Sequence, residues 1–148
     1  MIYLKSVTKE NWVACTHLQV NKEQEEYLAS NVMSIAQSKF YDYYYPTAIY
    51  DDEILVGFLM YSFEDDCYWL FRFMIDSQYQ GRGFGRASLM ALINKLRSEL
   101  LSSFLKVCCK PSNEVAMNLY KSTGFVFEYI EDDGDRILLF NLKSTPNI

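Results

Sequence analysis

Three glycines at alternate positions, Gly81, Gly83 and Gly85, are interleaved with Arg82 and followed by Arg86 in "IDSQYQGRGFGRASLMALI", residues 75–93. An apolar run leads into them and a helically patterned run leads out, so the loop joins a strand to the start of a helix. Such a junction leaves backbone N–H groups unpaired at the positive end of the helix dipole, which makes an anion site. Glycine takes positive φ readily and lets an oxyanion approach with no Cβ in between. Arg82 and Arg86 offer charged donors to the same oxygens. A P-loop is excluded, because Gly85 is followed by Arg86-Ala87 and not by Lys-Ser/Thr. A dinucleotide fingerprint is excluded by the glycine spacing and the mid-chain position. Taken alone, the loop fits a phosphate cradle and a plain strand-to-helix turn equally well.

A second stretch bears on that choice. "KPSNEVAMNLYKSTGFVF", residues 110–127, starts a helix at Pro111-Ser112-Asn113 and ends it near Ser122, with Gly124 where a C-terminal cap belongs. Val115, Ala116, Leu119 and Tyr120 fall on adjoining faces; Tyr120 by itself reads either as a core aromatic or as an acid. Other reactive residues are sparse. His17 is the only histidine, which removes the usual base of a Ser-His or Cys-His nucleophile. Cys15, Cys67, Cys108 and Cys109 match no zinc spacing and read as buried free thiols, the adjacent pair facing opposite sides of a strand. No metal is expected.

The net charge of −5 argues against a nucleic-acid partner and suits a small cationic one. No apolar run approaches the roughly 18 residues of a membrane span, and Met1 to Ser6 lacks the organisation of a signal peptide. The chain reads as soluble and cytoplasmic, without a membrane partner, and as one domain over residues 1–148.

Periodicity supplies the frame. Ile2 to Val7 alternates as a strand; Thr8 with Asn11 opens a short helix; a second helix spans about Lys22 to Ser38, with Tyr27, Leu28, Val32 and Ile35 at helical spacing. Pro46 ends an aromatic connector, "FYDYYYP". Thr47–Tyr50 and Ile54–Phe63 form a hairpin, and Cys67–Ile75 is a strongly apolar strand. A helix over Gly85 to about Leu101, a strand over Phe104–Cys109, the helix described above, and a closing hairpin of Phe125–Ile130 with Arg136–Leu142 complete the chain. The order is β-α-α-β-β-β-α-β-α-β-β, a mixed α/β (α+β) fold on a mostly antiparallel sheet of about seven strands, with helices on both faces.

The two stretches together resemble the GNAT superfamily of N-acetyltransferases. Gln80-Gly81-Arg82-Gly83-Phe84-Gly85 meets the family's Gln/Arg-x-x-Gly-x-Gly/Ala signature, and Asn113, Ala116, Leu119-Tyr120 and Gly124-Phe125 meet its second hallmark. The resemblance implies that the fourth and fifth strands splay and that acetyl-CoA lies between them. It implies that the backbone of Phe73, Met74 and Ile75 pairs with pantetheine amides. Amides from Gln80 through Gly81, Arg82, Gly83, Phe84 and Gly85 to Arg86 would hold the pyrophosphate, with Asn113 on the opposite wall. A neutral amine would attack the thioester directly, a backbone N–H at Met74 or a neighbour would face the oxyanion, and Tyr120 would protonate the leaving thiolate.

Within the family the chain is most similar to bacterial spermine/spermidine (diamine) acetyltransferases. The supporting residues are Gln24, Tyr27, Tyr45-Pro46, Val56-Gly57-Phe58, and Arg72 to Asp76 before Tyr79-Gln80-Gly81. A polycation would meet carboxylates and lay its methylenes on aromatics. Glu25, Asp42, Tyr44 and Glu64 are the candidate contacts. Tyr43 to Tyr45 either line the acceptor cleft or cover a sheet edge, and the acidic hairpin 131–135 either steers cations or is only solvated. The strand Trp69-Leu70-Phe71-Arg72-Phe73 carries no carboxylate, so the general base stays unassigned among Glu25, Glu26, Asp42 and the Glu64-Asp65-Asp66 turn. Other amines as acceptors, an aminoglycoside or a protein N-terminus among them, and a non-catalytic coenzyme A-binding module are the alternatives. Homodimers are common in the family, and the sequence leaves the oligomeric state open.

Overall fold

The computed structural model describes residues 1–99 and 101–144. Seven strands form one sheet in the order β1-β2-β3-β4-β5-β7-β6. They are β1 (Ile2–Ser6), β2 (Tyr44–Asp51), β3 (Ile54–Glu64), β4 (Cys67–Ile75), β5 (Phe104–Cys109), β6 (Val126–Ile130) and β7 (Arg136–Asn141). Every pairing is antiparallel except that of β4 with β5. The helices are α1 (Trp12–Thr16), α2 (Asn31–Ser38), α3 (Phe84–Glu99) and α4 (Glu114–Thr123), with 3-10 turns at Lys22–Tyr27 and Ser77–Tyr79. Among the described residues, no helix is long and apolar enough to cross a membrane.

Two cores flank the sheet. β3 is buried from Val56 to Ser62 because alternate side chains serve opposite faces. Leu59 and Tyr61 join the α3 and α4 side, whereas Phe58 and Met60 join the α1 and α2 side with Cys15 and Met74. Leu89, Leu92, Ile93 and Leu96 are fully buried at i, i+3, i+4 and i+7, the apolar stripe that seats α3. The β3–β4 hairpin turns on Asp65 and Asp66, whose φ values of +51° and +59° match a tight two-residue hairpin turn.

The expected second helix is two pieces. Leu28 is extended, and Ser30 caps α2 by accepting from the Met33 N–H at 3.0 Å, so the run Lys22–Ser38 breaks between them. Tyr44 and Tyr45 belong to β2, and Pro46 lies inside that strand. The Pro46 carbonyl accepts from the Val7 N–H just past the end of β1, so its missing N–H falls at the edge of the ladder. The helix expected to reach Leu101 ends at Glu99; Leu100 lies outside the described residues.

β4 carries the feature that positions the site. Met60 pairs with Arg72 and Tyr61 with Leu70, so Phe71 is an extra residue, a bulge. Immediately before it, β4 pairs with β5 over only Tyr68–Leu70 and Leu105–Val107. Beyond that point β4 stays with β3 as far as Ile75, β5 stays with β7 as far as Cys109, and the two part. Gly57 fixes the β3 side of this wall, since a Cβ there would sit 2.5 Å from the Met74 carbonyl oxygen. That oxygen is backbone and cannot rotate away. Gly57→Ala is expected to lose about 1–3 kcal/mol of stability in chemical denaturation; an unchanged midpoint would refute the close approach.

Candidate active site

The parting of β4 and β5 opens a cleft of about 360 Å³, walled by β4 from Leu70 to Ile75, by Cys108 and Cys109 of β5, by the glycine loop and by α4. Backbone direction decides what this wall offers. The Asp76 N–H donates to the Val56 carbonyl at 2.8 Å, so Asp76 and, by alternation, Met74 turn their backbone groups to β3. Phe73 and Ile75 therefore turn theirs to the gap. Of the three residues named from the resemblance, Phe73 and Ile75 face the gap, the Ile75 carbonyl accepting from Gln80 Nε2 at 2.9 Å, and Met74 faces β3.

At the far end of β4, Gly81 and Gly83 adopt φ of +77° and +82°, which glycine alone takes without strain. Among the described residues, nothing lies within 4 Å of where a Cβ would stand at either position, so the loop borders open space. The Ala87 N–H makes a helical bond to the Gly83 carbonyl at 3.1 Å, which leaves those of Phe84, Gly85 and Arg86 ahead of it. The two arginines are placed differently from the expectation. The Arg86 guanidinium donates to Ser122 Oγ and the Ser122 carbonyl, at 3.0 and 3.1 Å, tying α3 to the last turn of α4. Arg82 lies over the Tyr79 ring at 5.6 Å.

α4 closes the other wall. Asn113 lines the cleft, and its Oδ1 caps the helix by accepting from the Ala116 N–H at 3.3 Å. Gly124 ends the helix at φ +119°. Tyr120 is 9 % exposed, packs its ring 5.4 Å from that of Phe125 and faces the cleft. Burial, with the Cys109 thiol as a second cause, pushes its phenol well above the ordinary range, so it stays protonated at neutral pH. Burial, with Asp135 as the next cause, raises Cys109 to about 11 and Cys108 to about 12. Cys109 is buried but Cys108 is exposed, so the pair does face opposite sides while only one thiol is a core group.

Three charged residues, Arg72, Lys110 and Asp135, line the cleft; Asp135 was expected only as part of the acidic hairpin, steering cations or merely solvated, and the other two had no assigned chemistry. Arg72 donates through Nη1 to the Phe71 carbonyl at 2.9 Å and sits 5.2 Å from the Phe71 ring; its buried Nε has no partner among the described residues. Asp135 reaches the cleft from the β6–β7 hairpin, with the Cys108 Sγ donating to its Oδ2 at 3.5 Å. Asp135 was within the acidic run 131–135, but its neighbour Cys108 is 27 positions away and no local pattern marks the pair. Glu25, Asp42 and Glu64 are not among the lining residues; Tyr44 touches the wall indirectly, its ring 4.7 Å from that of Phe71.

A gap with one strand's amides unpaired and a glycine turn before a helix suits an extended amide-bearing arm ending in a diphosphate. These features define an acyl-coenzyme A-dependent transferase. The chain belongs to the acetyltransferase (GNAT) family, whose match covers residues 7–125, and is an acetyl-CoA-dependent N-acetyltransferase. It is 32% identical to the spermine/spermidine N(1)-acetyltransferase of Bacillus subtilis (strain 168), over 95% of this chain and 99% of that one. Its fold is similar to that of the ribosomal-protein-S18-alanine N-acetyltransferase from Escherichia coli, with a TM-score of 0.75 at 23% identity, covering 100% of this chain and 99% of that one. A spermidine N-acetyltransferase from Vibrio cholerae, solved with CoA and spermine, gives 0.74 at 15% identity over 95% of both chains.

Gly83→Val is expected to raise the acetyl-CoA KM at least tenfold, by roughly the 1–2 kcal/mol of a side chain forced to positive φ and by filling the cradle. Steady-state kinetics at saturating amine checks it, and an unchanged KM would reduce the loop to a turn.

Proposed function

We propose that the protein acetylates a polyamine such as spermine or spermidine, by direct attack of the neutral amine in a ternary complex. The observation that carries the acceptor class is Asp135 in the cleft wall, a carboxylate beside aromatic and apolar surface. The relatives named for spermine and spermidine at 32% identity support it. An ammonium remote from the reacting nitrogen finds an anion at Asp135, and methylenes find Phe71 and Tyr27.

When bound, acetyl-CoA supplies the activated acetyl group. The residues that would hold it are the Phe73 and Ile75 backbone groups, the amides of Gln80 to Arg86, and Asn113. The Phe73 N–H, rather than that of Met74, is the wall donor for oxygen charge developing at the acetyl carbonyl. Arg72 adds a fixed positive charge. Beside it a protonated amine is disfavoured, which is the direction the reaction needs, since only the neutral amine is a nucleophile. Tyr120, held as the phenol, gives its proton to the departing thiolate.

The test is thiol release from acetyl-CoA against spermine, spermidine, a short diamine, lysine and an aminoglycoside. Selective turnover of the polyamines is expected; turnover of another amine alone would discard the acceptor class and keep the chemistry. Tyr120→Phe is expected to lower kcat about a hundredfold with acetyl-CoA affinity unchanged. A kcat within about twofold of wild type would remove Tyr120 from the mechanism. Asp135→Asn is expected to raise the polyamine KM roughly two- to fivefold, the size of a partly exposed ion pair, and to leave a monoamine untouched.

A further inference from the structure

β5 carries a line of side chains that continues past the cleft. Leu105, Val107 and Cys109 turn into the core beneath α3 and α4, so by alternation Phe104, Lys106 and Cys108 stand on the opposite face. α1 and α2 cover that face at β3 and β2, while Phe104, Cys108 and Tyr129 are exposed at β5 and β6. At the cleft end of the line Cys108 holds the Asp135 carboxylate. Lys106 stands two residues along the strand, a step of about 7 Å. It is not a loose surface charge: its side chain is only 20 % exposed, and its Nζ pairs with Glu128 Oε2 at 3.1 Å. The same Nζ lies 5.6 Å from the ring centres of both Trp69 and Tyr129.

Register explains the assembly. Trp69 is the β4 partner of Lys106, and Tyr129 pairs with Ile137, which is itself the partner of Cys108. Tyr129 therefore stands level with Cys108 and reaches the Lys106 ammonium, joining the two steps of the line. Two aromatic rings and a carboxylate around an ammonium make a cation cage, and the chain fills it with its own lysine. An acceptor whose ammonium sits at Asp135 has this face ahead of it. Successive amines of a polyamine are three or four methylenes apart, about 5–6 Å when extended, close to the strand step, so the next ammonium falls at a cage whose carboxylate is already paired. We infer that Lys106 is a specificity-determining residue: it denies the cage to the next ammonium of a long polyamine and so limits what acceptor length adds to affinity. This rests on the polyamine reading above, with Asp135 as the anchor.

The experiment compares spermine with a short diamine at saturating acetyl-CoA, using the whole chain. Lys106→Met keeps the apolar stem, removes the ammonium and frees Glu128 with both rings. It is expected to lower the spermine KM roughly three- to tenfold, with kcat and the diamine KM each within about twofold of wild type. Lys106→Arg, which keeps a cation in the cage, leaves the spermine KM within about twofold, and adding Glu128→Gln to Lys106→Met cancels most of the gain. Trp69 supplies a direct signal. With Trp12→Phe it is the single tryptophan, and spermine is expected to change its emission in the Lys106→Met protein but not where Lys106 is present. A KM that falls equally for spermine and the diamine would reduce Lys106 to a general charge, and an unchanged spermine KM with silent Trp69 would make the cage purely structural; either result overturns the inference. Glu128→Gln alone keeps it testable if Lys106→Met does not fold. There the unpaired Lys106 is expected to raise the spermine KM about two- to threefold and leave the diamine alone, and equal values for both overturn the inference. A wild type that acetylates no polyamine overturns the polyamine reading and this inference together, whereas polyamine turnover with an unaltered length preference in the variants overturns this one only.

Discussion

β4 and β5 part after three paired residues, and the rest of the molecule is arranged around that parting. Backbone N–H and C=O groups away from water must be paired or bear a cost of a few kcal/mol each. Each strand is held by its outer neighbour, β4 by β3 as far as Ile75 and β5 by β7 as far as Cys109, so the gap cannot zip shut. The bulge at Phe71 redirects β4 at the same place, and α4 fills the widening side with Tyr120 and Leu119. The cleft is thus a product of the sheet, and what β4 turns toward it is backbone chemistry, at Phe73 and Ile75. A substitution that changes only side chains on β4 leaves that chemistry in place, whereas one that shifts β3 against β4, as at Gly57, removes it.

The ionisation of the cleft follows from its burial. Tyr120, Cys108 and Cys109 are all pushed up, so at neutral pH they are neutral donors, and none is an anion competing for the acetyl group. Burial draws Arg72 down from the ordinary guanidinium range, with Tyr44 acting the other way, yet an arginine remains charged at neutral pH. A phenol held protonated can give a proton but cannot take one. Proton donation to the thiolate and proton removal from the amine are therefore divided between groups. In the mechanism proposed above Tyr120 would serve the first, and the second needs a group other than this phenol.

Sequence reasoning reached the parts of this site that local physics writes. Alternating glycines before a helix, the cap at Gly124, and the stripe Leu89-Leu92-Ile93-Leu96 each have a signature within one turn or one strand. It misplaced the segment 22–38 because Tyr27, Leu28, Val32 and Ile35 do fall at helical spacing. Tyr27 and Leu28 are apolar because they face the cleft, Val32 is exposed, and the cap at Ser30 separates them. Pro46 marked the end of a connector only on the assumption that a sheet would use its N–H; at the edge beyond β1 nothing needs it. The place of Arg72 and Asp135 in the cleft was not legible for another reason, although Arg72 carried part of the resemblance and Asp135 part of the acidic hairpin. Their meaning lies in a bulge register and in a neighbour 27 positions away, and neither leaves a periodic trace.

The acidic residues divide by distance into two roles. Coulomb attraction between exposed charges is largely screened beyond a Debye length of about 8 Å at physiological salt. Only a carboxylate in the cleft wall acts on a bound ammonium at contact range, and Asp135 stands there. Glu131, Asp132 and Asp133 sit on the same hairpin, all exposed, so they shape the field an approaching cation feels rather than the energy of the one bound. The same holds for Glu25, Asp42 and Glu64, outside the lining. For the polyamine proposed above, the surplus of five negative charges would add to an encounter rate that fades with salt, while affinity and register would rest on Asp135 and the aromatic wall. The hairpin joins the two roles because β7 is the strand that holds β5 away from β4: the pairing that opens the cleft also delivers its carboxylate.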